Sequence, residues 1–380
     1  MTTTPTIRAG APLANPWLFH RAPVRTGDPA VFLELPGRTV MILRDIEIPR
    51  AKEANAADAV HAYADFTPDA GLASDRETAA AQSAAECLVR EGLRSITCDR
   101  SLPEIYAHYL RERGIDVVCD PELGVLERRG KSRREIDALE AAQKKTEQAV
   151  EHACRLIARA ECDKDGALMH QGEPLTSERV QAEINVFLLR AGMGTSGSIV
   201  AGGDHAADCH ERGKGRLHTG QTVIIDVFPM DPGSRYHGDC TRTVVHGEIP
   251  ADVAKAHAAV VEAKDAGIAF AKAGATGDGL HEAVVGVLKK HGYAAEAPKD
   301  GALPTEPTMV HGTGHGVGLD VHEPPLLAPG GPELVRGDCL TIEPGLYATG
   351  FGGIRVEDMV IVTDDGCINL NTIPIGLDWT

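Results

Sequence analysis

The sequence has no long apolar run, no Cys-x-x-Cys pair and no excess of positive charge. No stretch approaches the ~18 apolar residues of a membrane span, and the N-terminus lacks the apolar core of a signal peptide. Lys and Arg number 38 against 55 Asp and Glu, and the net charge of −17 disfavours nucleic acids and anionic membranes as partners. Nine scattered cysteines argue against a disulfide framework or a structural zinc knuckle. We therefore expect a protein of the reducing cytoplasm without a membrane segment.

The first third of the chain predicts a small α/β domain. Residues 1–29 are rich in Pro, Thr and Arg, and we expect them to be irregular. Apolar runs that predict strands then alternate with helical patterns. The predicted strands are 31–35, 39–43, 95–98 and 115–119, and the predicted helices are 77–91 and 103–113. We assign residues 1–127 to this domain.

A second, larger α/β domain is predicted over residues 128–380. Ser132 and Glu135 stand in capping-box positions before an amphipathic pattern, so a long helix should begin there. The remaining patterns predict helices at 177–190, 251–272 and 277–291, and strands at 222–228, 238–246 and within 309–363.

An internal repeat places four acids at strand ends. GQTVIID (220–226) and GDCLTIE (337–343) both run from a glycine through an apolar strand to a carboxylate, Asp226 or Glu343. After a turn, a second carboxylate, Asp239 or Glu357, enters another strand. Two hairpins of this kind would face each other across a pseudo-twofold axis, each presenting two acids.

The stretch HGTGHGVGLDVHEPP (311–325) combines three histidines with four alternating glycines. A phosphate-binding turn would need a helix directly downstream, and two prolines follow instead. Apolar residues alternate between His315 and His322, which predicts a strand rather than a helical zinc motif. Taken alone, the stretch is equally compatible with a glycine-rich core strand.

Four carboxylates in one cleft would repel one another unless protons or cations relieve the repulsion. Two divalent metal ions would balance the four negative charges. Oxygen ligands with one imidazole, from His315, suit Mn²⁺, Co²⁺, Fe²⁺ or Zn²⁺ better than a thiolate-preferring metal. Two such ions can share a bridging hydroxide and polarise a carbonyl group, which is chemistry suited to amide hydrolysis.

The sequence resembles the pita-bread metallopeptidases, the family of methionine aminopeptidase, aminopeptidase P and prolidase. The motifs that carry the resemblance occur in the family's order over about residues 130–378: CHERG, IIDVFP, GDCTRT, GHGVGLDVHEPP with TIEPGLY, and GGIRVED. The N-terminal domain is similar in kind to that of prolidase, aminopeptidase P and creatinase. The resemblance implies a pita-bread catalytic domain preceded by a creatinase-like α/β domain.

The resemblance also implies a set of metal ligands. Asp226 would bind one metal ion, His315 and Glu343 the other, and Asp239 and Glu357 would bridge the pair. Glu343 would in addition transfer a proton from the nucleophile to the leaving nitrogen.

Five further residues are candidates for the active site. His322 would contact the substrate carbonyl and stabilise the tetrahedral intermediate, and His210 matches an upstream catalytic histidine. His311 matches a histidine of the proline-handling branch. Arg355 and Tyr347 are candidates for substrate contacts or for ion-pair and packing roles, and Arg355 could pair with Glu357 or a substrate terminus.

The function implied is hydrolytic release of the N-terminal residue from Xaa-Pro peptides by a homodimer, with Mn²⁺ first among the candidate ions and Co²⁺, Zn²⁺ or Fe²⁺ as alternatives. Metal-free creatinase chemistry, a lyase on a non-peptide substrate and a non-catalytic binding protein remain the competing functions. The long N-terminal domain disfavours methionine aminopeptidase.

Substrate length is not decided by the sequence. Thirteen residues separate Asp226 from Asp239, where the family usually has eleven, so the turn beside the cleft is longer. A dipeptidase needs a cation or a blocking loop that recognises the free carboxylate after proline. Arg235, Arg242, Arg355 and the N-terminal domain are the candidates, and that domain could come from a partner subunit.

Overall fold

The computed structural model describes residues 4–195, 197–296 and 302–380. The chain divides into two compact units, one ending at Arg128 and the other beginning at Arg129. Within the described residues, no helix is both long and apolar enough to cross a lipid bilayer.

The first unit is a mixed six-stranded sheet with helices on both faces. The strands lie in the order β4-β3-β2-β1-β5-β6, with β2 antiparallel to both of its neighbours and the other pairs parallel. The strands are β1 (Thr6–Gly10), β2 (Ala30–Leu35), β3 (Arg38–Leu43), β4 (Ala59–Ala62), β5 (Ser95–Cys98) and β6 (Asp116–Cys119). The helices are α1 (Pro16–Arg21), α2 (Ile48–Glu53), α3 (Arg76–Arg90), α4 (Glu104–Glu112) and α5 (Val125–Arg129).

The expectation that residues 1–29 are irregular was wrong. Thr6–Gly10 forms β1, a fully buried strand in the interior of the sheet. Its central residue Arg8 is 1% exposed and pairs with Glu34 at 2.8 Å and with Asp99 at 3.2 Å. A strand that is covered on both faces shows no alternation of polar and apolar residues, and the buried arginine further obscured it.

The second unit begins with a long helix and contains two principal sheets. Its helices are α6 (Arg133–Ala158), α7 (Ser177–Arg190), α8 (Ala251–Phe270) and α9 (Gly277–Lys290). Its strands are β7 (Glu161–Cys162), β8 (Leu168–His170), β9 (Glu173–Pro174), β10 (Ser198–Gly202), β11 (Thr222–Val227), β12 (Cys240–Val245), β13 (Gly314–Gly316), β14 (Glu323–Leu327), β15 (Cys339–Ile342), β16 (Gly345–Ala348), β17 (Gly352–Arg355), β18 (Asp358–Val362) and β19 (Cys367–Asn369). The capping box predicted at Ser132 and Glu135 is confirmed at the start of α6.

The internal repeat forms two antiparallel hairpins, each in its own sheet. GQTVIID supplies β11, which pairs with β12 in the sheet β10-β11-β12. GDCLTIE supplies β15, which pairs with β18 in the sheet β14-β13-β15-β18-β19. Helices α6 and α7 pack on the first sheet, and α8 and α9 pack on the second. This duplicated arrangement is the pita-bread fold that the resemblance implies.

Candidate metal centre

The first hairpin presents Asp226 and Asp239 at the end where the turn joins its two strands. Asp226 lies one residue before the end of β11, and Asp239 immediately precedes β12. The Gln143 side chain on α6 holds the Asp239 backbone at both sides: its Nε2 donates to the carbonyl oxygen at 2.7 Å, and its Oε1 accepts from the backbone N–H at 2.8 Å. The long amphipathic helix therefore fixes the position of one acid by a buried amide.

The second hairpin presents Glu343 and Glu357 in the same way. Glu343 directly follows β15, and Glu357 directly precedes β18. Thr241 of β12 joins the two hairpins: its backbone carbonyl accepts from the Glu357 N–H at 3.1 Å, and its hydroxyl donates to Glu357 Oε2 at 2.7 Å. The hydroxyl of the TRT segment thus orients a carboxylate that lies 116 positions away in the chain.

The prediction of one continuous strand from His315 to His322 was wrong. Strand β13 ends at Gly316, and the chain reverses, so that Gly316 pairs with Glu323 of β14. The His315 and His322 rings lie 4.3 Å apart in an edge-to-face arrangement. Seven residues of extended strand would separate the two side chains by roughly 23 Å. The reversal is what places both imidazoles in one site.

The alternating glycines let neighbouring backbones approach β13 closely. A Cβ atom on Gly314 would overlap the carbonyl oxygen of Thr341, and one on Gly316 would overlap the carbonyl oxygens of Glu323 and Pro324. A side chain at either position would force the strands apart. The glycines therefore serve the packing around His315 rather than phosphate binding.

His315 is oriented as a metal-binding imidazole. Its Nδ1 lies 3.1 Å from the carbonyl oxygen of Gly316, which fixes Nδ1 as the donor and leaves a lone pair on Nε2. Nε2 lies 3.5 Å from Glu343 Oε1 and 3.8 Å from Asp239 Oδ2. Burial lowers the pKa of His315, so the ring is neutral near pH 7 and can donate that lone pair.

The acids of the cleft carry more negative charge than the surrounding protein neutralises. Burial, followed by the neighbouring carboxylates, raises the pKa of Asp239 and Glu357 well above the ordinary values. Burial is also the main cause that raises the pKa of Glu343 to about 7, and Asp226 adds to it. Charges crowded in this way require a compensating cation or a proton.

The donor set fits divalent cations. Carboxylate oxygens of Asp239 and Glu357 and a ring nitrogen of His315 lie within 4.8 Å of one another. Oδ1 of Asp226 is buried without a hydrogen-bond partner among the described residues. A buried oxygen without a partner costs free energy unless a ligand binds it. Oxygen ligands with one imidazole suit first-row divalent metals.

Arg355 is the counter-charge inside the cluster. It is 2% exposed, and its Nη2 donates to Asp226 Oδ2 at 2.7 Å, whereas the pairing with Glu357 that the sequence suggested is not formed. Its Nη1 donates to the Tyr347 hydroxyl at 2.9 Å, which in turn lies 2.8 Å from Nε2 of His311. Tyr347 is fully buried behind these two residues. Tyr347 therefore lies beneath the site, where packing is one of the two roles that the sequence leaves open.

The remaining histidines lie at the cleft wall. His210, His311 and His322 all line it, and His210 and His322 are exposed to solvent. Burial lowers the pKa of His322, with nearby His315 as the next cause. Burial likewise lowers the pKa of His311 to about 4, and Arg355 contributes. His311 and His322 are therefore neutral near pH 7 and can donate or accept hydrogen bonds.

The cleft above the cluster has a volume of about 470 Å³ and a partly apolar lining. A volume in this range is typical of small-ligand sites. The apolar lining consists of Ile199, Phe228, Val321, Leu326 and Ala328. Sequence reasoning did not find this lining, because its members come from three separate segments of the chain and no local pattern marks them as neighbours.

Stability of the metal-free protein should depend on pH through these acids. Asp239, Glu343 and Glu357 have folded-state pKa values above their unfolded values. Between about pH 4 and pH 7 the folded protein therefore holds more protons than the unfolded chain does at the same pH. The free energy of unfolding should fall over that window, with Tm dropping by several degrees. Thermal denaturation of chelator-treated protein between about pH 5.5 and pH 8 measures the slope.

The matched comparison for this slope is the double variant Asp239→Asn with Glu357→Gln, which removes two of the raised acids. Its Tm should fall less with pH than that of the wild type. Equal slopes in the two proteins would mean that the acids are not crowded in solution.

Comparisons with known proteins agree with this architecture. The model of metallopeptidase family M24 matches residues 137–364. The probable dipeptidase PepE of Mycobacterium tuberculosis is 38% identical over 179 residues, which are 46% of this chain and 44% of that protein. The match therefore spans less than half the length of that curated relative.

Solved structures match nearly the whole chain. The Xaa-Pro dipeptidase from Bacillus anthracis superposes with a TM-score of 0.79 at 23% identity, covering 98% of this chain and 94% of that one. The X-Pro aminopeptidase from Thermotoga maritima gives a TM-score of 0.77 at 21% identity, covering 98% and 96%. At these identities the two structures establish the fold alone. Because the family model covers more than half of the sequence, this protein belongs to metallopeptidase family M24.

Proposed function

We propose that this protein is a dinuclear metal-dependent exopeptidase that releases the N-terminal residue from Xaa-Pro peptides. The observation that carries the proposal is the convergence of four acids and the neutral imidazole of His315 in a cleft with a partly apolar lining. In this proposal residues 128–380 are the catalytic domain and residues 1–127 are the creatinase-like N-terminal domain.

Five residues would hold the two metal ions. Asp226 would bind one ion, His315 and Glu343 the other, and Asp239 and Glu357 both. Two observations support this assignment. Asp226 Oδ1 is buried without a hydrogen-bond partner among the described residues, and donor atoms of Asp239, His315 and Glu357 lie within 4.8 Å of one another. When bound, the ions would polarise the scissile carbonyl and lower the pKa of a water molecule. Oxygen-rich coordination favours Mn²⁺, with Co²⁺, Zn²⁺ or Fe²⁺ as alternatives.

The proton transfers would fall to Glu343. It lines the cleft and is half-buried, whereas Glu357 beside it is held by the Thr241 hydroxyl. A carboxylate in that position can accept the proton of the attacking water and pass it to the leaving nitrogen. Because an amine anion is a poor leaving group, the tertiary amide nitrogen of proline needs this proton before its bond to the carbonyl carbon breaks.

His322 would stabilise the charge that develops on the carbonyl oxygen. It lies beside His315, at the edge of the acid cluster, and its lowered pKa keeps it neutral, so that it donates a hydrogen bond. His210 and His311 would flank the substrate on the same wall of the cleft.

Arg355 and Tyr347 would act by positioning other groups. Arg355 fixes one oxygen of Asp226 and leaves the other oriented for a cation. Tyr347 links Arg355 to His311 and so couples the metal ligands to the substrate wall. A substrate contact by Arg355 remains a prediction from the resemblance.

The apolar part of the lining supports proline as the residue after the scissile bond. Phe228 and Leu326 belong to this lining, and Leu326 is 60% exposed although it is a leucine. Seating a pyrrolidine ring there would remove apolar surface from water at about 25 cal/mol per Å². The ring has no N–H that would need a partner.

Cellular context is part of the same proposal. All nine cysteines are free, which fits a reducing cytoplasm. Assembly as a homodimer is an expectation from the resemblance.

Peptide hydrolysis tests the proposal. Mn²⁺-loaded and chelator-stripped protein are incubated in parallel with Ala-Pro, Ala-Pro-Ala and Ala-Ala, and released alanine is measured. We expect release from at least one proline peptide by the loaded protein alone, and little release from Ala-Ala. If metal is bound but no peptide is cut, the peptidase proposal fails and lyase or binding functions take its place.

A further inference from the structure

Among the described residues, one cation lines the cleft without a hydrogen-bond or ion-pair partner for its side chain. Arg212, of the CHERG segment, is exposed and contributes to the same cleft as the metal-binding acids. Among the described residues its guanidinium forms no ion pair and no hydrogen bond, in contrast to the other arginine of the cleft, Arg355. A long cationic side chain that lines an acidic cleft, and has no acidic partner among the described residues, is available to bind an anionic ligand.

The backbone of Arg212 is held firmly. Its carbonyl oxygen accepts from the Val200 N–H of β10 at 3.0 Å and from the Gln181 side chain of α7 at 2.6 Å. The guanidinium lies against the backbone of Gly197, where a Cβ atom would come within 2.8 Å of Nη1. The side chain thus starts from two fixed elements and follows a surface that glycine leaves open.

The other candidate arginines either pair with acids of the protein or do not line the cleft. Arg242 is 1% exposed, pairs with Asp358 at 2.9 Å and donates to backbone carbonyls, including that of Glu357. Arg355 is bound to Asp226 and Tyr347. Arg235, in the longer turn, is not among the described residues that line the cleft. Within the described part of the cleft lining, Arg212 is therefore the cation that is available for a ligand.

We propose that Arg212 binds the C-terminal carboxylate of the substrate, so that the cleft selects dipeptides with a free carboxylate after proline. This inference rests on the proposed peptidase function. The five ligands assigned to the metal ions use all four acids of the cluster, so Arg212 has no acid there to bind. The planar guanidinium matches a carboxylate in a two-point hydrogen-bonded pair, the strongest common form of carboxylate recognition.

The same arrangement disfavours longer peptides. In a tripeptide the group after proline is a neutral amide, which cannot form the charge-assisted pair with Arg212. The penalty is the loss of a favourable contact, so tripeptides and amides should still be cut, but more slowly than the dipeptide. Selectivity of this kind acts on substrate binding and should appear mainly in KM.

The test compares Ala-Pro with Ala-Pro amide, which differ only in the carboxylate. Wild-type, Arg212→Gln and Lys214→Gln proteins are loaded with Mn²⁺, and kcat and KM are measured for both substrates. Lys214 is the matched control, because it is an exposed cation two residues away that is not among the cleft-lining residues. For Arg212→Gln we expect kcat/KM for Ala-Pro to fall by about 10- to 100-fold through KM, with little change for the amide. Lys214→Gln should behave like the wild type.

The outcomes separate this inference from the function on which it rests. Suppose that the wild type cuts both substrates, and that Arg212→Gln either slows both to the same extent or slows neither. Arg212 then does not bind the carboxylate, while the peptidase proposal stands. If the wild type cuts neither, the peptidase proposal falls and the inference with it. Inhibition by free L-proline but not by L-prolinamide, lost in Arg212→Gln, would support the carboxylate pair through a binding measurement.

Discussion

Replacing Glu357 with glutamine is expected to remove most of the peptidase activity, because this carboxylate is assigned to both metal ions. The amide is neutral and nearly the same size, so the Thr241 hydroxyl can still donate to it and the hairpin should remain folded. Substitutions in the groups that support a metal ligand typically cost 10- to 100-fold, and loss of a shared ligand should cost about 1000-fold or more. Metal content by mass spectrometry and kcat/KM for Ala-Pro are the two readouts.

Glu147→Gln is the matched control for this substitution. Glu147 is a buried glutamate on α6 that accepts from the backbone N–H groups of Thr372 and Ile373 and lies outside the metal cluster. Its amide should leave metal content and activity close to those of the wild type. Wild-type activity and two bound ions in Glu357→Gln would contradict the ligand assignment.

Replacing His322 with glutamine should separate metal binding from catalysis. We expect both metal ions to be retained, since His322 is assigned to the substrate oxygen, while kcat falls by about 100- to 1000-fold, as when one donor to a developing oxyanion is removed. His315→Gln, which alters the adjacent ring, should instead lose metal. The contrast between two histidines whose rings lie 4.3 Å apart makes the comparison sharp.

His291→Gln serves as the control at a distance, because His291 pairs with Glu262 on the helical surface and does not line the cleft. It should leave kcat unchanged. Loss of metal from His322→Gln, or a kcat within a few-fold of the wild type, would assign His322 to another role.

The duplicated acids were predictable because two constraints acted together. Each strand of the repeat had to be apolar to lie in a buried sheet, and each carboxylate stands where that strand ends. The sequence therefore indicates both where the acids lie and that they can bind a metal ion. Their convergence depends on two hairpins of the same form, which the repeat also implied. The structure brings Asp226, Asp239, Glu343 and Glu357 to one cleft. Their individual ligand roles stay predictions.

Other features depended on contacts that no local pattern records. The reversal between His315 and His322 replaced the predicted strand because glycines allow β14 to fold back closely on β13. The choice of Asp226 rather than Glu357 as the partner of Arg355 depends on strand register across 129 positions of sequence. Strand β1 was missed because burial on both faces removes the polar alternation.

Arg212 shows a different limit of sequence reasoning. It lies within the CHERG motif, in which His210 is the residue that the resemblance links to catalysis. Only the structure distinguishes an exposed arginine, whose side chain has no partner in the described ranges of the chain, from arginines that are buried and paired, such as Arg242. In the sequence the two residues look alike.

The most direct test of the central claim is a metal titration of activity. Chelator-stripped protein receives Mn²⁺ in known molar ratios, and alanine release from Ala-Pro is measured at each ratio together with bound metal. A dinuclear peptidase predicts negligible activity without metal and a rise that reaches its plateau at about two ions per chain. Full activity in the stripped protein, or no hydrolysis when two ions are bound, would contradict the account.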